Sequence, residues 1–159
     1  IERLKKKDTL GSVKFDSIVI ADFNESLKSV TTSLLYTDIS PKKKYFITLN
    51  QWFDKSLLGE ASSQPLYFPS INKKNYEDFS LEYFNKFDQY PNQLSFLSFD
   101  LVGLVYYLIL QNNSAVDEKI FTKKNLFKGK VGIFEIKNNK INHILNFYKV
   151  ESGEFKKIF

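Results

Sequence analysis

Cysteine and methionine are absent from the 159 residues, and glycine, proline and histidine are scarce, with 6, 4 and 1 copies. Without cysteine the chain can form no disulfide, and it holds no thiolate nucleophile or cysteine-ligated zinc. The sequence contains no Gly-rich phosphate loop, no G-x-S-x-G and no H-E-x-x-H. These absences exclude the usual signatures of hydrolases, metalloproteases and nucleotide-binding enzymes.

Catalytic side chains are not evident among the residues that are present. His143 is the one histidine, and no candidate nucleophile lies near it in the sequence, so we expect it on the surface or packed in a sheet. Asp22 and Glu25 could in principle form an acid–base pair. A simpler explanation is that Glu25 favours the positive end of the helix that it starts. We therefore expect no catalytic residue, no metal and no cofactor.

Positive charge is in modest excess, because 23 lysines and arginines face 18 acids and give a net charge of +5. Arg3 is the only arginine, and the lysine runs at residues 5–7 and 42–44 are short. Lysines spread in this way are typical of a solvated surface, so we expect no nucleic-acid partner. The alternative is a basic, nucleic-acid-associated α/β domain whose rings stack bases from an open sheet face.

Aromatic residues are abundant, with 16 Phe, 9 Tyr and 1 Trp, and they predict a core filled by rings. The longest apolar stretch, residues 96–110, is interrupted by Ser98, Asp100 and Gly103. A membrane-spanning helix needs about 20 mostly apolar residues. We therefore expect this stretch to be buried in protein, and no transmembrane segment in this part. Since the chain opens at Ile1 without methionine, we also expect it to belong to a longer polypeptide.

The first half of the chain alternates strands with a helix. Three short β-branched or aromatic runs, residues 17–22, 45–50 and 66–68, predict buried strands. Between the first two, Asn24 can cap a helix. The apolar face of this helix would carry Leu27, Val30, Leu34 and Leu35. This order predicts a parallel sheet with a crossover helix.

The second half of the chain, after Pro69, begins with helical patterns and ends with strand patterns. Residues 75–87 carry an aromatic stripe at helical spacing. Residues 92–111 are apolar nearly all round, so a second helix there should be enclosed by other elements. A short helix is predicted from Thr122. Strands follow over residues 131–136, 141–150 and 155–159, with turns at Asn138-Asn139 and Ser152-Gly153 and a bend within the second strand.

Polar and aromatic clusters follow the first two predicted strands. Ligands of open α/β sheets bind beyond the carboxyl ends of the strands, and a ring beside amides and a carboxylate suits a small polar ligand with an apolar part. The candidate ligand-binding residues are Asp22, Phe23, Asn24, Asn50, Gln51 and Trp52. The alternative is that Trp52 and Phe53 only pack their loop against the core.

The order of these segments resembles the second lobe of type I periplasmic binding proteins and its return to the first lobe. Residues 15–22 and 45–50, with a helix between them, are similar to two strands of that lobe. Residues 76–91 resemble the helix with the pattern F…Y…F…P, and residues 98–102 (SFDLV) resemble the aromatic-Asp-Ala-Val element of the next helix. Residues 126–134 are similar to the strand motif F-x-G-x-x-G-x-F, with Asn138-Asn139 in place of its Asp-Gly turn.

This resemblance implies an incomplete α/β fold. It comprises a parallel-sheet lobe, two helices belonging to the other lobe, and C-terminal β-strands. Residues 1–70 would form the α/β segment of the second lobe, and residues 71–128 the helical segment that returns to the first lobe. Residues 129–159 would form the C-terminal β-strands that cross back to the second lobe. Asp22, Phe23 and the loop of residues 50–52 would lie on the cleft side of the second lobe, and Phe99 and Asp100 would lie near the hinge in the first.

Within the superfamily, the nearest likeness is to penicillin-binding protein activators, followed by receptors for branched-chain amino acids. It implies non-enzymatic binding or scaffolding in the periplasm, either as a receptor for an amino-acid-like solute or as an activator of peptidoglycan synthesis. A lipid anchor could be carried by the absent N-terminus. The expected partners are the missing N-terminal half of the fold and a small ligand or a cell-wall synthase. Without that half, the two helices should expose an apolar surface, so the chain should stay bound to it or form a homodimer by exchanging helices.

Overall fold

The computed structural model describes residues 14–49, 52–113, 115, 117–122, 124–138 and 140–159. The described helices are α1 (Asn24–Leu35), α2 (Lys73–Phe87) and α3 (Gln93–Gln111), and 3-10 turns occupy Lys55–Gly59, Ala61–Ser63 and Glu118–Phe121. The described strands are β1 (Ser17–Ile20), β2 (Tyr45–Thr48), β3 (Leu66–Ser70), β4 (Asn125–Lys128), β5 (Ile133–Lys137), β6 (Lys140–Ile144), β7 (Asn146–Glu151) and β8 (Glu154–Lys157).

The larger sheet has five strands in the order β1-β2-β3-β7-β8. β1, β2 and β3 are parallel, as the sequence predicts, with Val19 opposite Ile47 and Ile47 opposite Tyr67. β7 pairs antiparallel with β3, and β8 pairs antiparallel with β7. The last described strands therefore join the sheet that the first ones build.

Helix α1 connects β1 to β2 and differs from its prediction at two positions. Phe23 holds the N-cap position with no side-chain cap, so the prediction that Asn24 caps the helix is wrong. Asn24 already belongs to the first turn, with a positive φ of 52°. Leu27 and Thr31, on the side of the helix that faces the protein interior, are fully buried. Val30 is exposed, because each residue turns an α-helix by about 100° and Val30 therefore lies on a different side from Thr31.

Asparagine side chains start both later helices. Asn72 accepts hydrogen bonds from the backbone N–H groups of Lys74 (2.9 Å) and Asn75 (3.3 Å), and Asn92 accepts one from that of Ser95 (2.9 Å). Each bond satisfies an amide that the helix itself leaves without a partner. The two predicted helices are confirmed, with α2 starting at residue 73 rather than 75 and α3 at residue 93 rather than 92.

The smaller sheet is an antiparallel meander of β4, β5 and β6. The residue pattern predicted a helix from Thr122, whereas the 3-10 turn Glu118–Phe121 ends before that residue and β4 follows it. The resemblance, which likened residues 126–134 to a strand motif, was nearer to the structure, although a turn divides this segment between β4 and β5. The bend predicted within residues 141–150 is confirmed, since Leu145 separates β6 from β7 and the chain changes sheets there. The division drawn between residues 128 and 129 falls inside the β4–β5 hairpin.

Aromatic rings fill the core on one face of the larger sheet, as the composition predicts. Phe46 of β2 is fully buried, and α2 and α3 add Phe79 and Phe96 to the same cluster. Phe53 lies at the centre of this layer. Its ring centroid is 4.8 to 5.9 Å from those of Phe68, Tyr76, Tyr148 and Phe155.

The opposite face of this sheet, here called the outer face, is partly exposed to solvent in the described part of the chain. It carries alternate strand residues, namely Val19, Tyr45, Ile47, Tyr67, Phe147 and Lys149. Val19 is 66% exposed and Tyr45 is 58% exposed. Ring centroids along this face are separated by 5.5 Å (Tyr45 to Tyr67), 6.4 Å (Tyr67 to Phe147) and 5.3 Å (Phe147 to Phe159).

Helix α3 is buried on one side, at Phe96, Asp100, Leu104 and Leu108. The more exposed apolar residues lie elsewhere on the helix and include Leu94, Leu101, Val102, Tyr106 and Leu110. The prediction that other elements enclose this helix is therefore wrong for the described residues, and the apolar surface expected without the first lobe is present. By length and composition alone, α3 is the one described helix that could cross a membrane, with a mean hydropathy of 1.6.

Candidate ligand-binding cleft

The two predicted clusters lie at the carboxyl ends of β1 and β2. Asp22, Phe23 and Asn24 follow β1, and Trp52 follows β2. The predicted residues 50 and 51, Asn50 and Gln51, lie outside the described part of the chain. Because β1 and β2 are parallel neighbours, both clusters are placed at the same edge of the sheet.

Asp22 fixes the loop that leads into α1. Its Oδ1 accepts a hydrogen bond from the backbone N–H of Phe23 (2.9 Å), and its Oδ2 accepts one from Ser26 Oγ (2.7 Å). The bond from Ser26, followed by that from Phe23, lowers the pKa of the Asp22 carboxyl, so the group stays ionised at neutral pH. The loop therefore presents Phe23 and Asn24 from a fixed position.

Trp52 lines the cleft, whereas its neighbour Phe53 lies in the core. Both have positive φ angles, 49° and 57°, which non-glycine residues rarely adopt. Phe53 is in the ring core, as the packing alternative expects. Trp52 is 6% exposed, with its ring centroid 5.3 Å from that of Phe96, and part of it remains accessible from the cleft. For Trp52, packing and lining the cleft are both observed.

These loops meet the start of α3 around a cleft of about 480 Å³, a volume suited to a small ligand. Its lining residues are Phe23, Asn24, Trp52, Asp54, Tyr76, Pro91, Asn92, Gln93 and Phe96. The structure thus brings together three predicted residues from two separate loops. Asp22 is not among the lining residues and supports the loop instead.

The polar lining consists of amides, one hydroxyl and one carboxylate, the last from Asp54. The Asp54 carboxylate accepts hydrogen bonds from Ser56 N and Ser56 Oγ, both at 2.9 Å. Burial raises the pKa of Tyr76, so its hydroxyl keeps its proton. The lining includes no lysine or arginine. Among the described residues, no three His, Cys, Asp or Glu side chains are grouped to hold a metal ion.

Four polar lining residues were missed by the sequence analysis. Asp54 lies two positions after Trp52, and extending the second cluster would have found it. Tyr76, Asn92 and Gln93 come from α2 and α3, which follow β3 rather than the two loops. No local pattern signals that the starts of these helices reach the same cleft.

Asp100, predicted near the hinge, ties α3 to the β4–β5 turn. Its carboxylate is 1% exposed and accepts hydrogen bonds from the backbone N–H groups of Lys130 (2.8 Å), Val131 (3.0 Å) and Gly132 (2.7 Å). Three donors compensate the burial of this charge. A Cβ atom at Gly129 would lie 2.4 Å from the same carboxyl group. The glycine is therefore required by close packing.

Phe99, also predicted near the hinge, lines a groove of about 890 Å³ between α2 and α3, here called the helix groove. The Lys130 ammonium lies 5.9 Å from the centroid of the Phe99 ring and pairs with Glu82 of α2. Tyr83 and Val102 are among the residues of its mostly apolar wall. Neither Phe99 nor Asp100 lines the cleft.

His143 packs within the smaller sheet, which is one of the two positions expected from the sequence. Its ring stacks on Phe134 with centroids 4.5 Å apart. Its Nε2 is buried without a hydrogen-bond partner, and a Cβ atom at Gly132 would lie 2.2 Å from it. Burial lowers the pKa of His143, with a smaller opposing effect from the charge of Asp100. The neutral imidazole thus serves as a packing group.

Known proteins share the fold of this chain but not a recognisable sequence. No family model and no curated protein matches it. Among solved structures it is similar to an extracellular ligand binding receptor from Desulfohalobium retbaense DSM5692, with a TM-score of 0.61 and 15% sequence identity. The similarity covers 90% of this chain, and the chain spans 26% of the length of that receptor. The chain therefore has the mixed α/β fold of part of that receptor, consistent with a portion of the type I periplasmic binding fold.

Proposed function

We propose that this chain supplies one wall of the ligand-binding cleft in a two-lobed periplasmic receptor, which binds its ligand without chemical turnover. The observation that carries the proposal is the cleft of about 480 Å³ at the carboxyl ends of β1 and β2. Ligands of open α/β sheets bind at this position. The fold likeness to an extracellular ligand binding receptor supports both binding and a location outside the cytoplasm.

The polar groups of this wall favour the ammonium or hydroxyl end of an amino-acid-like ligand. Asp54 offers a carboxylate, and the amides of Asn24 and Gln93 can donate or accept hydrogen bonds. Phe23, 41% exposed, offers an apolar contact. Because no lysine or arginine lines this wall, the carboxylate of such a ligand would be bound by the other lobe.

Activation of peptidoglycan synthesis is a second form of this proposal. An activator must bind a synthase, and the helix groove offers an apolar surface that suits a protein better than a small solute. The receptor form comes first, because the cleft combines a ring, amides and a carboxylate in a concave site of ligand size.

Nucleic-acid binding, the alternative from the sequence, is supported by the rings of the outer face. The lysines beside these rings are already paired, since the Glu151 carboxylate lies 2.8 Å from Lys149 Nζ and 3.5 Å from Lys156 Nζ. Phosphate binding depends on unpaired positive charge. We therefore place this function second.

Tryptophan fluorescence tests the cleft, because Trp52 is the one tryptophan in the chain. In the two-lobed protein, a neutral amino acid such as leucine or a muropeptide should shift the Trp52 emission with saturation. Asn24→Ala removes an amide from the wall and should weaken binding by about 1 kcal/mol, or roughly fivefold in Kd. Ser33→Ala, an exposed change near the other end of α1, is the matched control.

Calorimetry gives the affinity independently of the fluorescence. Saturable binding with unchanged Trp52 emission, and equal affinity in Asn24→Ala and Ser33→Ala, would move the site elsewhere. Chemical conversion of the bound ligand, followed by mass spectrometry, would contradict binding without turnover.

A further inference from the structure

A second concave site lies beside the ligand cleft. It encloses about 650 Å³ and is here called the side pocket. Asp54 and Tyr76 line both sites, whereas Trp52 lines only the cleft and Phe53 lines only the side pocket. The Tyr76 ring centroid is 4.9 Å from that of Phe96 in the cleft and 5.3 Å from that of Phe53. The two sites are therefore adjacent but distinct.

Gln64 holds one wall of the side pocket in place. This wall is the 3-10 turn Lys55–Gly59, from which Leu58 lines the pocket. Gln64 Nε2 donates hydrogen bonds to the carbonyl oxygens of Leu57 (3.1 Å) and Leu58 (3.0 Å). Its Oε1 accepts one from the backbone N–H of Gly153 (3.1 Å), between β7 and β8. A wall fixed in this way needs little further ordering when a ligand binds.

Apolar and aromatic side chains form most of the lining of the side pocket. Phe53 is buried and Phe155 is partly buried, with ring centroids 5.4 Å apart. Leu81 and Tyr90 are exposed and lie towards solvent. Small-molecule sites are typically concave, mostly apolar and about 300 to 1000 Å³ in volume. The side pocket therefore suits a ligand with an apolar body, such as a phenyl ring on a short alkyl chain.

Lys55 is the charged lining residue that has no partner in the described part of the chain. The two carboxylate oxygens of Asp54 accept hydrogen bonds from Ser56 N and Ser56 Oγ, both at 2.9 Å. Lys73 Nζ lies 3.0 Å from Glu77 Oε1. Because the other charges are already paired or hydrogen-bonded, the free ammonium of Lys55 complements a carboxylate on the ligand.

We propose that the side pocket binds a small monocarboxylate with an apolar body, at a site separate from the ligand cleft. The rings and Leu81 contact the apolar body, and the Lys55 ammonium pairs with the carboxylate. An amine at the same place would meet the carboxylates of Asp54 and Glu77, which already have partners. The proposal goes beyond the function proposed for the cleft and does not depend on it.

Equilibrium dialysis of the 159-residue chain against 4-phenylbutyrate tests the apolar part of the site. We expect saturable binding with a Kd of about 0.1 to 1 mM, as for a ligand of about 12 non-hydrogen atoms. Leu81→Glu, at a position that is 61% exposed, should leave the chain folded and weaken binding about fivefold or more. Val102→Glu, at an exposed position in the helix groove, is the matched control and should bind as the parent does.

The uncharged analogue 4-phenylbutanol tests the role of Lys55. Lys55→Gln should lower the ratio of the acid affinity to the alcohol affinity about threefold, because an exposed ion pair contributes little. Lys42→Gln removes another exposed lysine, outside the side pocket, and should leave this ratio unchanged.

Other results would overturn the proposal. These are absence of saturable binding, equal affinity of Leu81→Glu and Val102→Glu, and a ratio that Lys55→Gln leaves unchanged. Binding that is lost in Val102→Glu would place the ligand in the helix groove instead. Asn24→Ala changes the cleft but not the side pocket, so it should leave 4-phenylbutyrate binding unchanged, and a loss there would place the ligand in the cleft. The two proposals can therefore fail independently.

Discussion

At the scale of single residues, Asp100 joins parts of the chain that are distant in sequence. The three amides that its carboxylate binds lie 30 to 32 residues later, in the β4–β5 turn. In the sequence, Asp100 belongs to the SFDLV element and Gly129 to the motif of residues 126–134. No sequence pattern predicts that these two residues are in contact. The placement of Asp100 near a hinge stays a prediction, and its hydrogen bonds give it a structural role.

Replacing Asp100 should destabilise the chain strongly. Asp100→Ala leaves buried amides without an acceptor, so we expect the free energy of unfolding to fall by about 3 kcal/mol. Urea denaturation followed by circular dichroism measures it. Asp78→Ala, which removes an exposed carboxylate 2.6 Å from Lys74 Nζ, is the control and should cost at most about 0.5 kcal/mol. Similar losses in both variants would contradict the role assigned to Asp100.

His143 should make stability depend on pH. Burial lowers its pKa in the folded chain below the ordinary 6.5, so the unfolded chain takes up a proton first as the pH falls. The contribution is complete above the unfolded pKa and declines below it, by at most about 1.4 kcal/mol between about pH 7.5 and about pH 5.5. Urea denaturation at both values measures this change. His143→Gln should reduce it, and an unchanged decline in that variant would assign it to other groups.

At the scale of elements, periodicity predicted those that bury one clear face. β1, β2 and α2 were predicted to within a few residues in this way, whereas α3 was predicted from a stretch that is apolar nearly all round. Periodicity did not predict β4, because the half-exposed run Asn125–Lys128 has no continuous apolar pattern, and only the resemblance suggested a strand there. The prediction that other elements enclose α3 was wrong, because much of the apolar surface of this helix is left uncovered by the described residues. Composition shows that a surface is apolar but not which element covers it.

The exposed side of α3 should make the chain self-associate. Val102 is 70% exposed and lines the helix groove, so Val102→Glu should leave stability within about 0.5 kcal/mol and reduce both the scattering mass and the binding of a hydrophobic dye. Leu104→Glu is the contrasting variant, since Leu104 is 1% exposed and a buried charge there should unfold the chain. A parent chain that is monomeric and binds no dye would contradict this expectation.

At the scale of the whole molecule, the position of the cleft was predictable and its complete lining was not. The parallel arrangement of β1 and β2 follows from the strand–helix–strand order of the sequence, and it places the loops with Phe23 and Trp52 at one edge. The remaining wall depends on the path of the chain after β3, which brings the starts of α2 and α3 back to that edge. Such a return is set by tertiary packing, which sequence periodicity does not report.

The position of β7 beside β3 has a consequence for biosynthesis. The Tyr148 hydroxyl accepts a hydrogen bond from the backbone N–H of Lys73, 75 residues earlier, and β7 completes a sheet begun by β1 to β3. A nascent chain on the ribosome therefore cannot close this sheet until residues 146–151 have emerged. Until then, the edge of β3 and its buried Leu66 and Phe68 lack their neighbour and would be substrates for a holding chaperone.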